Sequence, residues 1–237
     1  MAFNNGPKVA TNGLVLCLDA SDRNSYPGSG TTVYDVSGNG KDFTLVNGLT
    51  WNSAGYFSFD GVDDYMSGPA ANSFNLGQEH TVEIIMMNTL ASTTTLFNWR
   101  SSQVDRAILA HVPYSDGTVY YDVGGCCGST NRVNYTPSPS ITNRLTYMIF
   151  RCRTSQTPYR QVFENTVEKV NSGANATATI TLSSNIALIG AFNEANLAGS
   201  GGVWKGNLYS FRMYNRALTD DEIKSNYNAM KSRFNLS

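Results

Sequence analysis

The sequence has few charges, no long apolar run and only two histidines. Charged residues make up 15% of its 237 residues, and 17 Lys plus Arg against 18 Asp plus Glu leave a formal net charge of -1. Without a cluster of Lys or Arg, the chain lacks the basic surface that nucleic acids and anionic membranes require. Apolar runs such as 14–18 and 84–87 fall far short of the roughly 20 residues that span a bilayer. We therefore predict no nucleic-acid partner and no membrane insertion.

A secretion signal and a disulfide framework are also missing. The N-terminus MAFNNGPKVATNG has neither the basic start and apolar segment nor the cleavage site of a signal peptide, which predicts synthesis in a cytoplasm. Cys17 and Cys152 lie in apolar, strand-like segments and are predicted to be free thiols in the core. For Cys126 and Cys127, in GGCCGS, we predict a tight turn with buried thiols, with a redox or metal role as the alternative.

Short strands and turn residues fill most of the chain. Hydrophobic residues make up 41% of it, and 21 Gly, 13 Tyr and 11 Phe accompany them, which suits one globular domain with a full core. Several segments alternate apolar and polar residues, as in TVYYDV, and turn residues separate them. We predict strands at 14–19, 43–46, 56–59, 64–67, 81–87, 95–99, 107–112, 118–123, 132–135, 145–153, 159–163, 166–170, 187–189 and 208–214.

One helix is predicted near the C-terminus. Thr219 and Glu222 have the spacing of a capping box, in which each side chain binds the other residue's backbone N–H. Ile223, Tyr227 and Met230 recur on one face of the helix that follows. This helix is therefore expected to pack on the sheets as scaffold, with no catalytic role.

Two segments carry a family resemblance. GLVLCLDASDRNSYPGSGTTVYDVSGNGKDFTL…YFSFDGVDDYM and WKGNLYSFRMYNRALTDDEIKSNYNAMKSRF resemble the ends of concanavalin A-like and laminin G-like domains. The resemblance implies an all-β fold, a two-sheet antiparallel jelly-roll β-sandwich with one short C-terminal helix. The sandwich would span residues 13–237, after an extended N-terminal arm at 1–12.

The opening segment GPKVATNGLVLCLDASDRNSYPGSG is also similar to structural proteins of tailed bacteriophages, notably marine ones. This similarity implies a virion component whose partners are other virion proteins or sister subunits in an oligomeric assembly. The polar arm has too little apolar surface to fold alone, so it is expected to be ordered only where it docks on a neighbour.

No catalytic motif is visible. Glycoside hydrolases of this fold need paired carboxylates, but the residues at the required offsets from Glu83 in HTVEIIMMN are Ile85 and Met87. His80 and His111 have no Ser or Cys in a recognisable nucleophile setting. We predict that the protein is not an enzyme.

Two oxygen-rich loops predict a calcium site. Seven aspartates precede position 65, and calcium prefers six to eight carboxylate and carbonyl oxygens. The interpretation that we favour over a calcium site is that these residues cap turns through hydrogen bonds from side chain to backbone. The candidate ligands are Asp35, Asn39, Asp42, Asp60, Asp63 and Asp64.

Aromatic residues in loops predict a glycan site. Tyr26, Tyr114 and Tyr135 are candidates to stack on sugar rings, whereas the three tryptophans sit beside or within strands and are predicted to be core. The function predicted is a non-enzymatic virion component, a capsid decoration or a tail- or fibre-associated protein. It would display a lectin-like sandwich for particle stabilisation and host-glycan adhesion. The alternative is a free carbohydrate-binding lectin module that depends on calcium.

Overall fold

The computed structural model describes residues 7–92, 94–101, 106–125, 127, 131–154, 159–171, 179–194 and 202–236. These ranges contain sixteen β-strands, a 3₁₀ turn at Ala71–Phe74 and one α-helix, which confirms the predicted all-β class with a C-terminal helix. Each of the fourteen predicted strands is present, and the two additional strands are β2 and β4. The elements are β1 (Leu14–Asp19), β2 (Thr32–Val33), β3 (Phe43–Val46), β4 (Thr50–Asn52), β5 (Tyr56–Asp60), β6 (Tyr65–Ala70), β7 (His80–Asn88), β8 (Phe97–Arg100), β9 (Arg106–His111), β10 (Val119–Val123), β11 (Arg132–Tyr135), β12 (Leu145–Cys152), β13 (Arg160–Glu164), β14 (Val167–Asn171), β15 (Ile186–Ile189), β16 (Lys205–Tyr214) and α1 (Asp220–Phe234).

The strands form two eight-stranded sheets. Sheet A has the order β14-β13-β12-β7-β16-β5-β4, and β1 also pairs with β16. Sheet B has the order β11-β10-β9-β8-β15-β6-β3-β2. The pairs between named strands are antiparallel, and sequence neighbours often lie in different sheets, which is the jelly-roll arrangement.

The core between the sheets follows the two-residue period of the strands. In β10, Val119, Tyr121 and Val123 point into the core, while Tyr120 and Asp122 lie on the other face of sheet B. The alternation in TVYYDV therefore predicted correctly which residues point inward.

Two tryptophans are fully buried, as predicted. The Trp99 ring stacks on Phe211 of the opposite sheet with centroids 5.5 Å apart, and the Trp204 indole N–H donates to the carbonyl of Val112 at 3.0 Å. Trp51 is only half-buried and packs at the margin of this core. These rings tie the sheets together through apolar contact area.

Helix α1 begins at the predicted capping box. The Thr219 hydroxyl accepts from the Glu222 backbone N–H at 3.2 Å, and the Glu222 carboxylate accepts from the Thr219 N–H at 2.8 Å. Arg216 adds two hydrogen bonds at 2.6 and 2.8 Å, which lower the pKa of Glu222 to about 2. The helix is thus held at its first turn by charge as well as by its cap.

The buried face of α1 packs on the outer face of sheet A. Ile223, Tyr227 and Phe234 form a second apolar cluster with Ile85 and Tyr147 of the sheet. None of the helical segments in the described ranges has the length and apolar character that a membrane crossing requires.

A buried polar group lies within this helix–sheet contact. Asn226 of α1 donates to both carboxylate oxygens of Glu83 at 2.9 and 3.0 Å, and Arg212 Nη1 lies 3.5 Å from the same carboxylate. Burial raises the pKa of Glu83, although Arg212 and Asn226 act in the opposite direction. Glu83 therefore has a structural role beneath the helix.

The described part of the N-terminal arm binds its own chain. The Ser225 hydroxyl donates to the Lys8 carbonyl at 3.0 Å, and the Ala10 N–H donates to the Asn226 side chain at 2.7 Å. The expectation that the arm is ordered only by a neighbouring subunit is corrected for these residues, because helix α1 supplies the missing partners. Residues 1–6 lie outside the described residues.

The cysteines divide differently from the prediction. Cys17 and Cys152 are free, and burial raises the pKa of both thiols. Cys127, however, is exposed and disulfide-bonded, so the expectation of a buried thiol is wrong there. It has a backbone φ of 67°, which places it in a sharp turn. Cys126 lies outside the described residues.

His80 is fully buried between the two sheets. The Tyr121 phenolic oxygen lies 2.5 Å from His80 Nε2, while Nδ1 has no hydrogen-bond partner among the described residues. Burial, and to a lesser extent the positive charge of Arg160, lowers the His80 pKa from its ordinary 6.5 to about 3. The ring is therefore neutral in the folded protein at any pH above that value.

This shift predicts a specific loss of stability in acid. Below pH 6.5 the unfolded chain takes up a proton on His80 that the folded chain does not bind, so unfolding becomes more favourable as pH falls toward 3. When the pH is lowered from 7.5 to 5.0, the free energy of unfolding should fall in both proteins, but by about 2 kcal/mol less in His80→Gln than in the unchanged protein. Urea denaturation at the two pH values measures this difference. The amide of Gln also supplies an acceptor for Tyr121.

His111→Gln is a parallel test, because the pKa of this buried ring is also lowered, to about 4. It should show a similar but smaller effect. Identical pH dependence in His80→Gln and the unchanged protein would contradict the assignment.

Candidate functional site

The two sheets differ in what covers their outer faces. Helix α1 packs on sheet A, whereas a row of mostly buried polar and apolar side chains runs across the strands on the outer face of sheet B. The segment after β15 lies over part of this row, because the Asn98 amide donates to the Phe192 carbonyl at 2.9 Å. Each residue of the row lies directly opposite the next one on the neighbouring strand, as the strand register shows. Its members are Leu188, Asn98, Leu109, Asp122 and Arg132.

Asp122 anchors a charged group on this face. Its carboxylate is fully buried and accepts from Arg106 Nη1 at 2.7 Å and from Arg132 Nε and Nη2 at 2.5 and 2.7 Å. The side chains of Arg106 and Arg132 are 14% and 19% exposed, so both are partly accessible to solvent. The hydrogen bonds to Asp122 raise the pKa of Arg132. One buried carboxylate thus fixes the orientation of two cations.

Two tyrosines extend the group. The Arg132 guanidinium lies over the Tyr120 ring at 4.5 Å, and the Tyr120 hydroxyl donates to Asp116 at 2.6 Å, which raises the pKa of that phenol. Tyr114 meets Tyr120 at a right angle with centroids 5.8 Å apart, and both rings are half-buried. We call Tyr114, Tyr120 and Arg132 the sheet B platform.

The β9–β10 turn holds Tyr114 in place. The Tyr114 N–H donates to the Thr118 carbonyl at 2.8 Å, the Gly117 N–H donates back to the Tyr114 carbonyl at 2.9 Å, and Asp116 caps the Thr118 N–H. Gly117 has φ of +80°, a conformation that other residues rarely adopt. The loop therefore holds the half-buried Tyr114 ring in one position.

His111 lies beside the platform as a neutral ring. Its Nδ1–H donates to the Thr94 carbonyl at 2.5 Å, and its Nε2 lies 3.3 Å from Arg106 Nη1. Burial and the nearby arginine lower the His111 pKa to about 4, despite the opposing hydrogen bond to Thr94. Because both ring nitrogens are occupied, this histidine supports the surface and is not poised as a base.

Two of the three predicted glycan tyrosines are structural. Tyr26 is 4% exposed, packs against Phe57 with ring centroids 5.1 Å apart and donates to the Gly30 carbonyl, so its prediction as an exposed aromatic is corrected. Its loop folds back over the core edge, which buries the ring. Tyr135 points inward and donates to Glu164 of sheet A at 3.0 Å.

Tyr135 therefore links the two sheets by a hydrogen bond. Its hydrogen bond to Glu164 joins β11 of sheet B to β13 of sheet A, and Arg144, just before β12, binds the other Glu164 oxygen at 2.7 Å. Burial, followed by the negative charge of Glu164, raises the pKa of Tyr135. Of the three tyrosines, Tyr114 is the one that the structure brings to the sheet B platform.

The first predicted calcium loop forms a closed set of hydrogen bonds. The Asp35 carboxylate accepts from the backbone N–H groups of Cys17, Ser37 and Lys41 and from the Ser37 hydroxyl, at 2.8–3.1 Å. Asp42 accepts from the Asp35 N–H at 2.8 Å. Asn39 donates to Ser37 and to the chain at β1. These residues cap turns in the way that the favoured interpretation described.

The second loop brings three carboxylates together. Ligand oxygens of Asp60, Asp63 and Asp64 lie within 4.8 Å of one another, and no other acidic, His or Cys side chain of the described residues joins them. The six predicted ligands therefore do not form one site. Burial, together with the charges of Asp60 and Asp63, raises the Asp64 pKa to about 6. A divalent cation is the ligand that would relieve this repulsion.

Sequence analysis missed most of the sheet B group. Arg106, Asp122, Arg132 and Tyr120 were not among the predicted site residues. The alternation in TVYYDV places Tyr120 and Asp122 on one outward face, which was the available signal. The arginines come from the two neighbouring strands, and no local pattern pairs them with Asp122.

Comparisons with known proteins identify the fold. No protein-family model and no curated protein matches the chain. Trypanosoma rangeli sialidase in complex with sialic acid is similar in structure, with a TM-score of 0.68 and 14% sequence identity over 92% of this chain and 33% of that chain. A point mutant of the botulinum HCR/D domain has a TM-score of 0.67 and 12% identity over 93% of this chain and 52% of that chain. This chain spans about a third of the sialidases it matches, and identities this low show a shared jelly-roll sandwich alone.

The aspartate cluster generates a calcium prediction. Calcium added to chelator-treated protein should raise the melting temperature by about 3–6 °C at ten times its Kd, because the ion binds the folded carboxylates. The rise should shrink at pH 5, where Asp64 is protonated and the ion must displace its proton. Differential scanning calorimetry with and without calcium measures both effects.

Matched variants locate the ion. Asp60→Asn combined with Asp63→Asn should abolish the rise, and Asp42→Asn, in the other loop, should keep it. An unchanged melting temperature on adding calcium would exclude the site, and loss of the rise in Asp42→Asn would show that the two loops act together.

Proposed function

We propose that this chain is a non-catalytic, glycan-binding β-sandwich domain that binds its ligand on the sheet B platform. The observation that carries the proposal is the pair of half-buried rings, Tyr114 and Tyr120, set at a right angle and backed by Arg132. Sugar rings pack their C–H faces on aromatic rings, while arginine and amide groups at the margin bind hydroxyls.

Preorganisation supports this assignment. Arg132 is held by Asp122 and by the Tyr120 ring, and Tyr114 is held by its hydrogen-bonded turn. Groups that are already ordered lose little conformational entropy when a ligand binds. Asn134, exposed and paired with Tyr120 on the adjacent strand, adds a polar side chain at the margin of the platform.

The acids on this face support binding over hydrolysis. A glycoside hydrolase needs one carboxyl group as acid and a second as base or nucleophile. Asp122 is fully buried and bound by two arginines, Asp116 is bound by the Tyr120 hydroxyl, and Glu194 is bound by Arg100. The likeness to sialidases covers a third of those chains at 14% identity, and it shows the fold alone.

A glycan array followed by titration calorimetry tests the proposal. The isolated protein should bind a defined set of glycans, and Tyr114→Ala should weaken the best ligand about tenfold, because ring stacking is worth about 0.5–1.5 kcal/mol beyond the buried area. Tyr34→Ala is the control, since Tyr34 is 47% exposed and lies away from sheet B's platform next to β2.

Absence of glycan binding, or equal loss in both variants, would overturn the assignment. Release of reducing sugar from a polysaccharide panel would overturn its non-catalytic part.

A second proposal concerns where the domain acts. The resemblance of residues 6–30 to phage structural proteins and the nearly neutral surface favour a component of a phage particle that displays this sandwich. Partners would be other virion proteins or sister subunits. We expect the chain at stoichiometric copy number in purified virions, measured by quantitative mass spectrometry. Recovery only in the soluble fraction of the infected cell would contradict a particle role and leave the free lectin.

A further inference from the structure

A cavity of about 300 Å³ opens beside Arg106, next to the sheet B platform. Its volume lies at the lower end of the range for small-molecule sites, which suits one sugar unit. The other described residues that line it are Ser101, Ala107, Gly124, Gly125, Thr179 and Thr181.

Arg106 is the one ionisable side chain among these described lining residues. Its Nη1 donates to Asp122 at 2.7 Å and lies 3.3 Å from His111 Nε2, while Nε and Nη2 have no hydrogen-bond partner within the described ranges. The guanidinium plane also lies 5.0 Å from the Phe192 ring centroid. Within the described ranges the cation is therefore fixed in orientation and keeps two donor nitrogens for a ligand.

The walls of the cavity suit a sugar. Thr179 and Thr181 are exposed and carry hydroxyls that can exchange hydrogen bonds with sugar hydroxyls. Gly125 has φ of +135°, and a Cβ there would lie 2.9 Å from the Asn131 amide nitrogen. The backbone conformation and the neighbouring Asn131 side chain therefore both favour glycine at this position of the lining.

Arg106 links the cavity to the residues that support the platform. Arg106 contacts His111, whose ring lies 5.0 Å from Tyr114 by centroids, and Arg106 shares Asp122 with Arg132. The cavity and the platform therefore share the same buried supports, His111 and Asp122.

We propose that the cavity binds a sugar unit that carries a carboxylate or sulfate group, with Arg106 as the residue that recognises the anion. This inference rests on the proposed glycan-binding function and names the ligand class. An acidic lining residue would oppose such a ligand, and the described lining contains none. Arginine forms paired, charge-assisted hydrogen bonds with planar carboxylates and with sulfate oxygens.

A matched pair of ligands tests this inference on the full chain. Methyl β-glucuronide and methyl β-glucoside differ only in having a carboxylate or a hydroxymethyl group at C6, and glucose 6-sulfate tests the second anion. We expect at least one of the two anions to bind about tenfold or more tightly than the glucoside by ligand-observed NMR titration. Salt should weaken this preference.

Variants assign the preference to Arg106. Arg106→Gln should remove it, and Arg106→Lys should retain part of it. Arg23→Gln, an exposed arginine on Trp51 in another region, should leave it intact. If loss of Arg106 unfolds the protein, Thr181→Trp fills the cavity from an exposed wall position and should remove the preference without disturbing Asp122.

The outcomes separate the two proposals. Glycan binding with equal affinity for neutral and anionic sugars, or a preference that survives Arg106→Gln or Thr181→Trp, overturns the anionic subsite and leaves the platform. Failure of every glycan to bind overturns both.

Discussion

Glu83 lies beneath helix α1 with its carboxylate bound by Asn226 of the helix and near Arg212 of the adjacent strand. A carboxylate that has left water is tolerated only when such partners accompany it, and removing one of them leaves an uncompensated buried charge. Since one partner belongs to α1, the helix and sheet A have to stay together. Asn226 also accepts from Ala10, so the same contact orders the described part of the arm. The buried face of α1 is thereby held against the outer face of sheet A.

The same physics acts on sheet B with a different result. Asp122 is as buried as Glu83, but its partners, Arg106 and Arg132, extend to the surface. The buried charge therefore orders groups that a ligand can reach. His111 stays neutral beside them, and Tyr120 stacks under Arg132. The arginines are held in fixed positions and carry several hydrogen-bond donors. The Asp122 carboxylate is already bound by them, so this group suits ligand recognition better than proton transfer.

A shared fold leaves function open here. The sialidase and HCR/D chains have the same sandwich at 12–14% identity, and function resides in sites that differ among proteins of one fold. In this chain the candidate sites lie in two places: the sheet B platform with its cavity, and the aspartate cluster at Asp60, Asp63 and Asp64. Each depends on its own side chains and can be tested by itself.

The sequence by itself determined the strands, the capped helix and the buried tryptophans. Each of these reads from a local period or spacing, such as the alternation in β10 or the three-residue interval from Thr219 to Glu222. The local sequence did not determine whether a loop tyrosine points inward. Tyr26 and Tyr135 are held by contacts with distant strands, whereas Tyr114 stays at the surface. Only the tertiary structure decided that arginines from β9 and β11 meet one aspartate on β10. The reason is that contacts across a sheet depend on strand order and register, which are set by pairing between segments far apart in the chain.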